Sequence, residues 1–536
     1  MIGGNQATTI GGSQTYVGRI AAHPDLAASI VICVVLGLAF IASTTLVVAG
    51  KTYFTLHDDI MISMTYARNL AEGHGLVWTP GEPPVEGFTN PLWVAYLSLL
   101  HLVSPVDRYV TLLVALSALG LLVVGLFGVN TLARRLGATD AGRLFALLTA
   151  ASLYAPAFWS LHGFEVSLLI ALDTWMLILA LDRSRPGLQV AVWLGCMGAV
   201  AMLTRLDSVL VTGSIIALRF LRPSWAAIRE MFVAGLIILA AGVVMEAARY
   251  AYYGDLLPNT AYLKLSNLSI WNRIRAGIAA DYHAAIRWLP IGLLAFVPAV
   301  VMAASRRVSE RGLAYLGVLG VIAVQFAYCA YVGGDAWEWS GFPNRYLSIV
   351  SFALCACAGV GAGVVVERLP LSNVSPRAVA AVAALVGFAW TSLGDWSDTV
   401  QGRGFQWVSE KNSVRAGIAL RAGTPPGFRY ALTWAGAVPY YAEGRNPVDL
   451  LGKMDPVIAR MKPEGKFKPG HNKHDLDHSL GVLRPDAMIH LPAPLNAETI
   501  KKLDGWGYVR TPGGWWILKT SKDKVDPALL DKSFNF

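Results

Sequence analysis

The chain has 536 residues, of which 55% are hydrophobic and 15% charged, and its formal net charge is +9. A soluble protein of this length could not bury so much apolar surface, so the composition indicates a polytopic membrane protein. Many Lys and Arg residues stand in short segments beside hydrophobic runs, as the positive-inside rule describes, and the positive charge therefore does not indicate nucleic-acid binding. All five cysteines fall within hydrophobic runs, which excludes a disulfide framework or a zinc-binding spacing.

Hydrophobic runs long enough to cross a bilayer recur through the first 394 residues. The first run, 28–50, follows a Gly- and Ser-rich segment, 1–27, that we expect to be cytoplasmic. It is too long for a signal-peptide core and lacks a clear cleavage site, so we predict a retained span. Other runs of about 20 residues occupy 109–133, 142–161, 164–182, 230–250, 288–305, 312–332, 345–366 and 377–394, and shorter runs occupy 91–104, 188–204 and 208–221. The pattern predicts an α-helical membrane domain over 28–394 with about 11 transmembrane helices.

The polar stretch 51–90, directly after the first run, contains two adjacent carboxylates, Asp58 and Asp59. Charges so close to hydrocarbon are costly and usually functional. Apolar residues at helical spacing predict a helix over 60–70 lying along the membrane interface, with the Asp pair at its N-terminus. The alternative is that one Asp merely caps this helix. Gly and Pro residues between 73 and 87 then predict a turn-rich loop back to the membrane.

The basic connections between runs predict the orientation of the chain. If those at 134–135, 183–185, 219–222, 306–307 and 368–377 are all cytoplasmic, the loops containing Glu165, Asp255 and Asp335 lie on the opposite side. The Asp58 loop joins them when the N-terminus is inside. This assignment needs an odd number of crossings between Asn90 and Arg134, but two apolar runs, 91–104 and 109–133, lie in that interval. Either 91–104 is re-entrant or one arginine pair is outside.

Two of the later polar stretches are suited to binding a charged lipid. In 249–265, Lys264 follows a tyrosine-rich segment, and a cation at the membrane surface suits a lipid phosphate; ordinary snorkelling is the alternative. In 204–207, Arg205 and Asp207 stand at membrane depth, where they could simply pair with each other.

A third stretch, 333–345, is suited to binding a sugar. Asp335, Glu338 and Arg345 surround Trp337 and Trp339, a mixture that can stack on a sugar ring and hydrogen-bond its hydroxyls. The alternative is an interfacial aromatic loop with a local ion pair.

The composition changes after Gly394, because 395–536 contains no run that could cross a membrane. Short apolar stretches and turn signals such as Pro425-Pro426-Gly427 predict one soluble mixed α/β domain, on the extracytoplasmic side by parity. Within it, the segments 448–452, 470–473 and 485–486 stand out. His471 and Lys473 could contact a phosphate, although exposed His and Lys residues are more often plain solvated surface.

The segment DDIMISMTYARNLAEGHGLVWTPGEPPVEGFTNPLW resembles the first extracytoplasmic loop of GT-C-fold glycosyltransferases, especially the family of the mycobacterial terminal β-(1→2)-arabinofuranosyltransferase. The matching positions are Asp58, Asp59, Arg68, Asn69, Leu70, Gly73, Gly75, Val77, Gly81, Glu82, Val85, Glu86 and Thr89. Further motifs follow in the family's order: HGFE at 162–165, TRLD at 204–207, YYGDLLPNTAYLK at 252–264 and GGD at 333–335. Asp207 stands where the family is expected to have Glu, and Pro83-Pro84 replace a single spacer residue.

The resemblance implies an arabinofuranosyltransferase of the bacterial inner (plasma) membrane with its active site on the extracytoplasmic side. The donor would be a polyprenyl-phosphate sugar of the decaprenyl-phosphoryl-arabinose type. The acceptor would be the end of a cell-envelope arabinan such as arabinogalactan or lipoarabinomannan. Catalysis by an aspartate of the first loop is also implied.

The residues point independently toward the same chemistry. An acceptor hydroxyl needs a base, and Asp58 or Asp59 fits; one of them could instead hold a divalent cation, Mg, Mn or Ca. A lipid-phosphate leaving group needs cations, a role for Lys264, Arg345 or Arg205. Contacts with the sugar or acceptor are predicted for Glu86, Asn90, Glu165, Asp335, Trp337 and His471.

Three mechanistic and functional alternatives stay open. If donor and product are both β-linked, the reaction retains configuration, which requires either a covalent aspartyl intermediate or front-face attack. A GT-C transferase of another lipid-linked sugar, such as mannose or aminoarabinose, onto glycan, lipid or protein fits the same residues. A lipid or sugar transporter would instead place polar residues at the membrane midplane on broken helices, whereas here they gather at one surface.

Overall fold

A computed structural model describes residues 24–104, 106–265, 269–338, 341–370, 373–403, 405–463, 468, 470–492 and 495–534. Most of the predicted N-terminal segment 1–27, and Trp339, lie outside these residues.

Helices make up most of the described chain before residue 401. They are α1 (Pro24–Ser43), α2 (Asp58–Ala71), α3 (Pro91–Val103), α4 (Asp107–Leu136), α5 (Asp140–Ser152), α6 (Tyr154–Leu161), α7 (Val166–Ala180), α8 (Gly187–Thr204), α9 (Val209–Ala217), α10 (Trp225–Tyr253), α11 (Asn259–Leu265), α12 (Ile270–Arg287), α13 (Leu289–Ser305), α14 (Glu310–Val332), α15 (Arg345–Ser348), α16 (Ser351–Val366), α17 (Pro376–Thr391) and α18 (Leu393–Val400). Short 3-10 turns at Leu206–Ser208 and Leu218–Leu221 flank α9.

Six of these helical segments have the length and hydropathy to cross a bilayer: α1, α4, α5 with α6, α8, α10 and α14. Two bent pairs, α12–α13 at 87° and α17–α18 at 63°, raise the number to eight if each is one span. Among the described residues, α3, α7 and α16 are shorter apolar helices, and the number of about 11 transmembrane helices stays a prediction. The chain is therefore a multi-pass membrane protein.

The first helix ends at Ser43 rather than at Gly50, which corrects the predicted first span. Residues Thr45–Val48 (β1) and Lys51–Phe54 (β2) form an antiparallel hairpin instead. Ala49 and Gly50 both have positive φ, 50° and 72°, as a tight two-residue hairpin turn requires. The β-branched residues of β1 favour an extended strand. They are also apolar, so the hydrophobic run in the sequence extends past the end of the helix.

Helix α2 carries the Asp pair, but it is neither amphipathic at an interface nor capped by an Asp. The N-cap is His57, whose Nδ1 accepts a hydrogen bond from the Asp59 backbone N–H at 3.2 Å. Eleven residues of α2 are buried, including the polar Arg68 and Asn69. The C-terminal domain covers the face that the sequence assigns to water: Arg68 donates to the Tyr440 carbonyl at 2.6 Å.

The C-terminal domain is a five-stranded mixed sheet with helices. Its elements are α19 (Phe405–Gly423), β3 (Arg429–Leu432), α20 (Ala437–Tyr441), β4 (Asn446–Asp449), α21 (Pro456–Ala459), a π-helical turn (Asp477–Val482), β5 (Ala487–Met488), α22 (Ala497–Gly505), β6 (Tyr508–Arg510), β7 (Trp516–Leu518), a 3-10 turn (Lys519–Lys524) and α23 (Pro527–Leu530). The strand order is β4-β3-β5-β7-β6, parallel among β4, β3 and β5 and antiparallel across β5-β7-β6. This agrees with the predicted mixed α/β domain.

Alternating side chains of this sheet build two cores, one on each face. Tyr430 packs with Leu420 of α19 on one face, and Ala431 packs with Leu503 of α22 on the other. Because both faces are covered within the domain, its contact with the membrane helices is made by α19 and by the connections that leave β3 and β4.

Candidate active site

A cavity that is open to solvent lies where α2, α11 and the segment following β4 meet. Eight of the residues predicted for the site line it: Asp59, Asn90, Glu165, Arg205, Lys264, Asp335, Arg345 and His471. These residues come from six separate stretches of sequence, so the fold gathers the polar loops in one place.

Asp59 projects into this cavity from the first turn of α2. Its Oδ1 accepts a hydrogen bond from Lys453 Nζ at 2.8 Å, and its Oδ2 accepts one from Trp337 Nε1 at 2.7 Å. Burial raises the pKa of Asp59, but Lys453 and the other nearby cations outweigh burial and hold the pKa well below its usual range. With 20% of its side chain exposed, Asp59 is an ionised carboxylate within reach of a ligand.

Asp58, the other predicted catalytic acid, is 1% exposed and is not among the residues that line the cavity. Its carboxylate accepts hydrogen bonds from the backbone N–H groups of Ala437 at 2.8 Å and Gly436 at 3.2 Å. Burial raises its pKa to about 6, against the lowering effect of Lys453 and the two amides. The two adjacent acids therefore have different surroundings: Asp58 joins α2 to the C-terminal domain, and Asp59 faces the cavity.

The membrane side of the cavity is lined by a network of charged side chains. Arg205 pairs with Asp207 through two hydrogen bonds, of 2.6 and 3.0 Å, as its sequence context allowed. The same guanidinium donates to Glu165 Oε1 at 3.1 Å, and Asn90 donates to Glu165 Oε2 at 3.2 Å. Ser63 of α2 donates to Asn90 at 3.0 Å, so this network connects α2 to α7 and α8.

A second ion pair lies beside this network, because Arg205 and Arg345 both pack over the ring of Tyr346. Arg345 Nε lies 3.2 Å from Asp335 Oδ2, and the guanidinium stacks over Phe164, 4.6 Å from the ring centroid. Lys264 of α11 completes the lining, and burial together with Arg345 lowers its pKa. Within the part of the chain that the structure describes, each acid lining the cavity has a cationic partner, whereas Lys264 has no ion pair. Lys264 is thus the cation of the cavity lining that forms no ion pair with a described acid.

Two predicted sugar contacts lie outside the cavity lining. Trp337 is 3% exposed and stacks on Phe342 and Trp434, with ring centroids 5.8 and 5.3 Å apart. Its ring faces are occupied by protein, so the predicted stacking on a sugar is wrong, and the indole instead orients Asp59. Glu86 is buried and pairs with Arg249 at 2.6 Å, and an unpaired carboxylate there would be costly. The ion pair joins the first loop to α10.

The predicted divalent cation does not suit the donors around Asp59. Both carboxylate oxygens already bind hydrogen donors, one of them the positively charged Lys453. Over the described ranges, no group of three or more His, Cys, Asp or Glu side chains is placed to hold a metal ion. The charge of the Asp59 carboxylate is therefore balanced by Lys453.

The sequence reasoning missed Lys453, Asn259 and Gly436. Lys453 directly follows the segment 448–452, but no local feature of the sequence distinguishes this lysine from an ordinary surface lysine of a soluble domain. Asn259 belongs to the YYGDLLPNTAYLK motif and donates to the carbonyls of Gly452 and Lys453, both at 2.9 Å. Gly436 lies against Asp58: a Cβ there would come 1.7 Å from the Asp58 carbonyl oxygen.

The fold is the GT-C fold of membrane glycosyltransferases. The crystal structure of ArnT from Cupriavidus metallidurans in the apo state superposes with a TM-score of 0.54, covering 81% of this chain and 87% of that one, at 14% sequence identity. This likeness concerns the fold, and it confirms the predicted fold class.

Curated relatives carry the name that the resemblance predicted. The terminal β-(1→2)-arabinofuranosyltransferase of Mycobacterium tuberculosis is 29% identical over 379 residues, which are 63% of this chain and 57% of that protein. The protein of the same name from Corynebacterium glutamicum is 24% identical over 410 residues, 68% of this chain and 55% of that protein. The chain thus spans little more than half the length of these relatives. A family described as a domain of unknown function, DUF8728, matches residues 403–522.

Proposed function

We propose that this protein is a glycosyltransferase that transfers D-arabinofuranose from a polyprenyl-phosphate donor to the end of a cell-envelope arabinan. The observation that carries the proposal is the cavity in which an ionised Asp59 faces the unpaired Lys264. The names of the curated relatives support the choice of sugar. The positive-inside pattern supports a bacterial plasma membrane protein whose cavity opens on the extracytoplasmic side.

The lipid phosphate binds beside Lys264 in this proposal. Lys264 is the cation whose charge no described acid neutralises, and it belongs to α11, between the membrane-crossing helix α10 and the C-terminal domain. Arg205 and Arg345 keep further N–H donors beyond those used by their carboxylate partners. Their combined field stabilises the negative charge that develops on the phosphate as the bond between C1 and the phosphate oxygen breaks.

Asp59 acts on the sugar at the point where positive charge develops. Its low pKa makes it a weak base, so it suits stabilisation of an oxocarbenium-like C1, or nucleophilic attack on it, better than removal of a proton. The acceptor oxygen forms the new bond to C1, and its proton passes to the departing phosphate or to the solvent. This assignment favours retention of a β configuration, by front-face attack or through a glycosyl ester of Asp59.

The test is transfer in detergent from polyprenyl-phosphate arabinofuranose to an oligo-arabinofuranoside by the purified full chain. Asp59→Asn keeps the shape of the side chain but removes its charge, and we expect kcat to fall by at least about 10²–10³-fold, the range for losing one group that stabilises transition-state charge. The matched control is Asp140→Asn, which changes a carboxylate that is 73% exposed at the start of α5.

Three outcomes would contradict the proposal. Wild-type activity of Asp59→Asn would remove Asp59 from the chemistry. Transfer of mannose or aminoarabinose, but not of arabinose, would move the assignment to another GT-C specificity. Substrate movement across sealed vesicles without any transfer in detergent would indicate a transporter.

A further inference from the structure

The C-terminal domain contributes two segments to the cavity lining, one with Lys453 and one with Gly470 and His471. Lys453 belongs to a tight turn, residues 449–454, that follows β4. The Asp449 carboxylate accepts hydrogen bonds from the backbone N–H groups of Leu451 at 2.9 Å and Met454 at 2.8 Å. Gly452 has φ +79°, and a Cβ there would come 2.7 Å from Ile458, so both the backbone conformation and the space at this position favour glycine. The turn is therefore internally rigid.

The same turn is attached to the membrane domain. The Asn259 side chain at the start of α11 donates both of its amide hydrogens to it, one to the Gly452 carbonyl and one to the Lys453 carbonyl, each at 2.9 Å. Asn259 itself is 3% exposed, so these bonds are shielded from water. As a result the backbone of Lys453 is held from both sides.

The Lys453 side chain, 10% exposed, extends from this turn to Asp59. Each oxygen of the Asp59 carboxylate then has one donor from a different part of the chain: Lys453 from the C-terminal domain and Trp337 from the loop after α14. Two donors in fixed directions determine the rotation of a carboxylate as well as its position. The remaining lone pairs face the cavity.

We propose that Lys453 is a positioning residue for Asp59, so that the C-terminal domain completes the catalytic centre rather than only covering it. The inference rests on the proposed function and assigns a role in it to the C-terminal domain. Without Lys453, the carboxylate loses its countercharge and one of its two orienting bonds. An unpaired, largely buried acid is destabilising, and a misdirected one is a poor catalyst.

A second ion pair crosses the same domain contact and serves as the control. Arg460 of the C-terminal domain binds Asp255 through hydrogen bonds of 2.9 and 3.0 Å, but the two side chains are 39% and 42% exposed and do not touch Asp59. If Lys453 only helped the domain to dock, Asp255→Asn and Lys453→Met would have effects of the same kind.

The experiment compares Lys453→Met, Lys453→Arg and Asp255→Asn in the full chain. We expect Lys453→Met to lower kcat about 10²-fold, the cost of a misplaced catalytic group, while the donor KM changes little. Lys453→Arg should recover part of kcat, and Asp255→Asn should keep wild-type kcat. Wild-type kcat in Lys453→Met, or equal losses in Lys453→Met and Asp255→Asn, would overturn the proposal.

A double-mutant cycle followed by thermal unfolding tests the coupling of Lys453 and Asp59 without an activity assay. Lys453→Met should lower Tm, and adding Asp59→Asn should restore part of it, because the second change removes the uncompensated charge. A further, additive decrease in Tm would overturn the proposed coupling. If the wild-type chain transfers no arabinose, the proposed function fails, whereas this cycle still decides whether Lys453 and Asp59 act as a pair.

Discussion

At the scale of single residues, the site is decided by which neighbours each carboxylate has. Asp58 and Asp59 are adjacent in sequence, yet the first binds two backbone amides and the second a lysine and an indole. Burial raises the pKa of both acids, so the difference between them comes from charge. Lys453 bonds Asp59 directly and holds the pKa of Asp59 below its usual range, whereas the pKa of Asp58 rises to about 6. One acid is ionised in the cavity and the other is a structural acceptor.

This difference predicts the pH dependence of activity. Because the pKa of Asp59 is depressed in the folded protein, its carboxylate stays ionised as pH falls, and kcat/KM should show no acid limb from it between about pH 5 and 8. In Lys453→Met the largest lowering effect is gone, burial dominates, and an acid limb should move into this range. Lys453→Arg should keep the wild-type profile.

The pH profile of kcat/KM for the three proteins checks the prediction. The Asp58→Asn variant removes any contribution of Asp58 to the profile, which is needed because the pKa of Asp58, about 6, falls in the same pH range. A wild-type acid limb above pH 5 that persists in Asp58→Asn would show that Asp59 is not held ionised.

At the scale of elements, the contact between α2 and the start of α20 holds the two domains together. Gly436 and Ala437 present consecutive N–H groups to the Asp58 carboxylate, and the Asp58 N–H donates to Glu410 of α19 at 3.0 Å. The close approach requires a residue without a Cβ, because the nearest atom at position 436 is a backbone carbonyl oxygen that cannot rotate away. An ordinary φ of −104° at Gly436 shows that space, not backbone conformation, selects glycine.

Gly436→Ala should therefore separate α2 from α20. We expect a destabilisation of about 1–3 kcal/mol, as for overpacking in a core, together with lower transfer activity because Lys453 moves with the domain. The control is Gly505→Ala at the end of α22, where a Cβ would meet nothing within 4 Å. Thermal unfolding in detergent and the transfer assay measure both effects; equal Tm values for the two variants would contradict the steric argument.

At the scale of the whole molecule, the helices place all polar loops of the site on one side of the membrane domain, and the C-terminal domain covers that side. The basic connections 134–135, 183–185 and 306–307 belong to the other ends of the same helices. Read with the positive-inside rule, this arrangement predicts that the cavity and the C-terminal domain lie outside the cytoplasm.

Cysteine labelling of intact cells tests this orientation. Lys502→Cys, on the exposed side of α22, should react with a membrane-impermeant maleimide, whereas Arg307→Cys, between α13 and α14, should react only after permeabilisation. The unmodified chain is the background control, because its five cysteines lie in apolar helices, four of them buried. The opposite labelling pattern would place the cavity in the cytoplasm and contradict the use of an extracytoplasmic acceptor.

The membrane class, the GT-C fold and eight of the residues that line the cavity could be predicted from the sequence, because run length, charge and short motifs are local properties. Contacts between distant segments were decided only by the tertiary structure. Lys453 meets Asp59 across 394 positions of sequence, and Trp337 turned out to hold a carboxylate rather than a sugar. The identity of a buried acid's partner depends on which segments the fold brings together, and no local pattern records that.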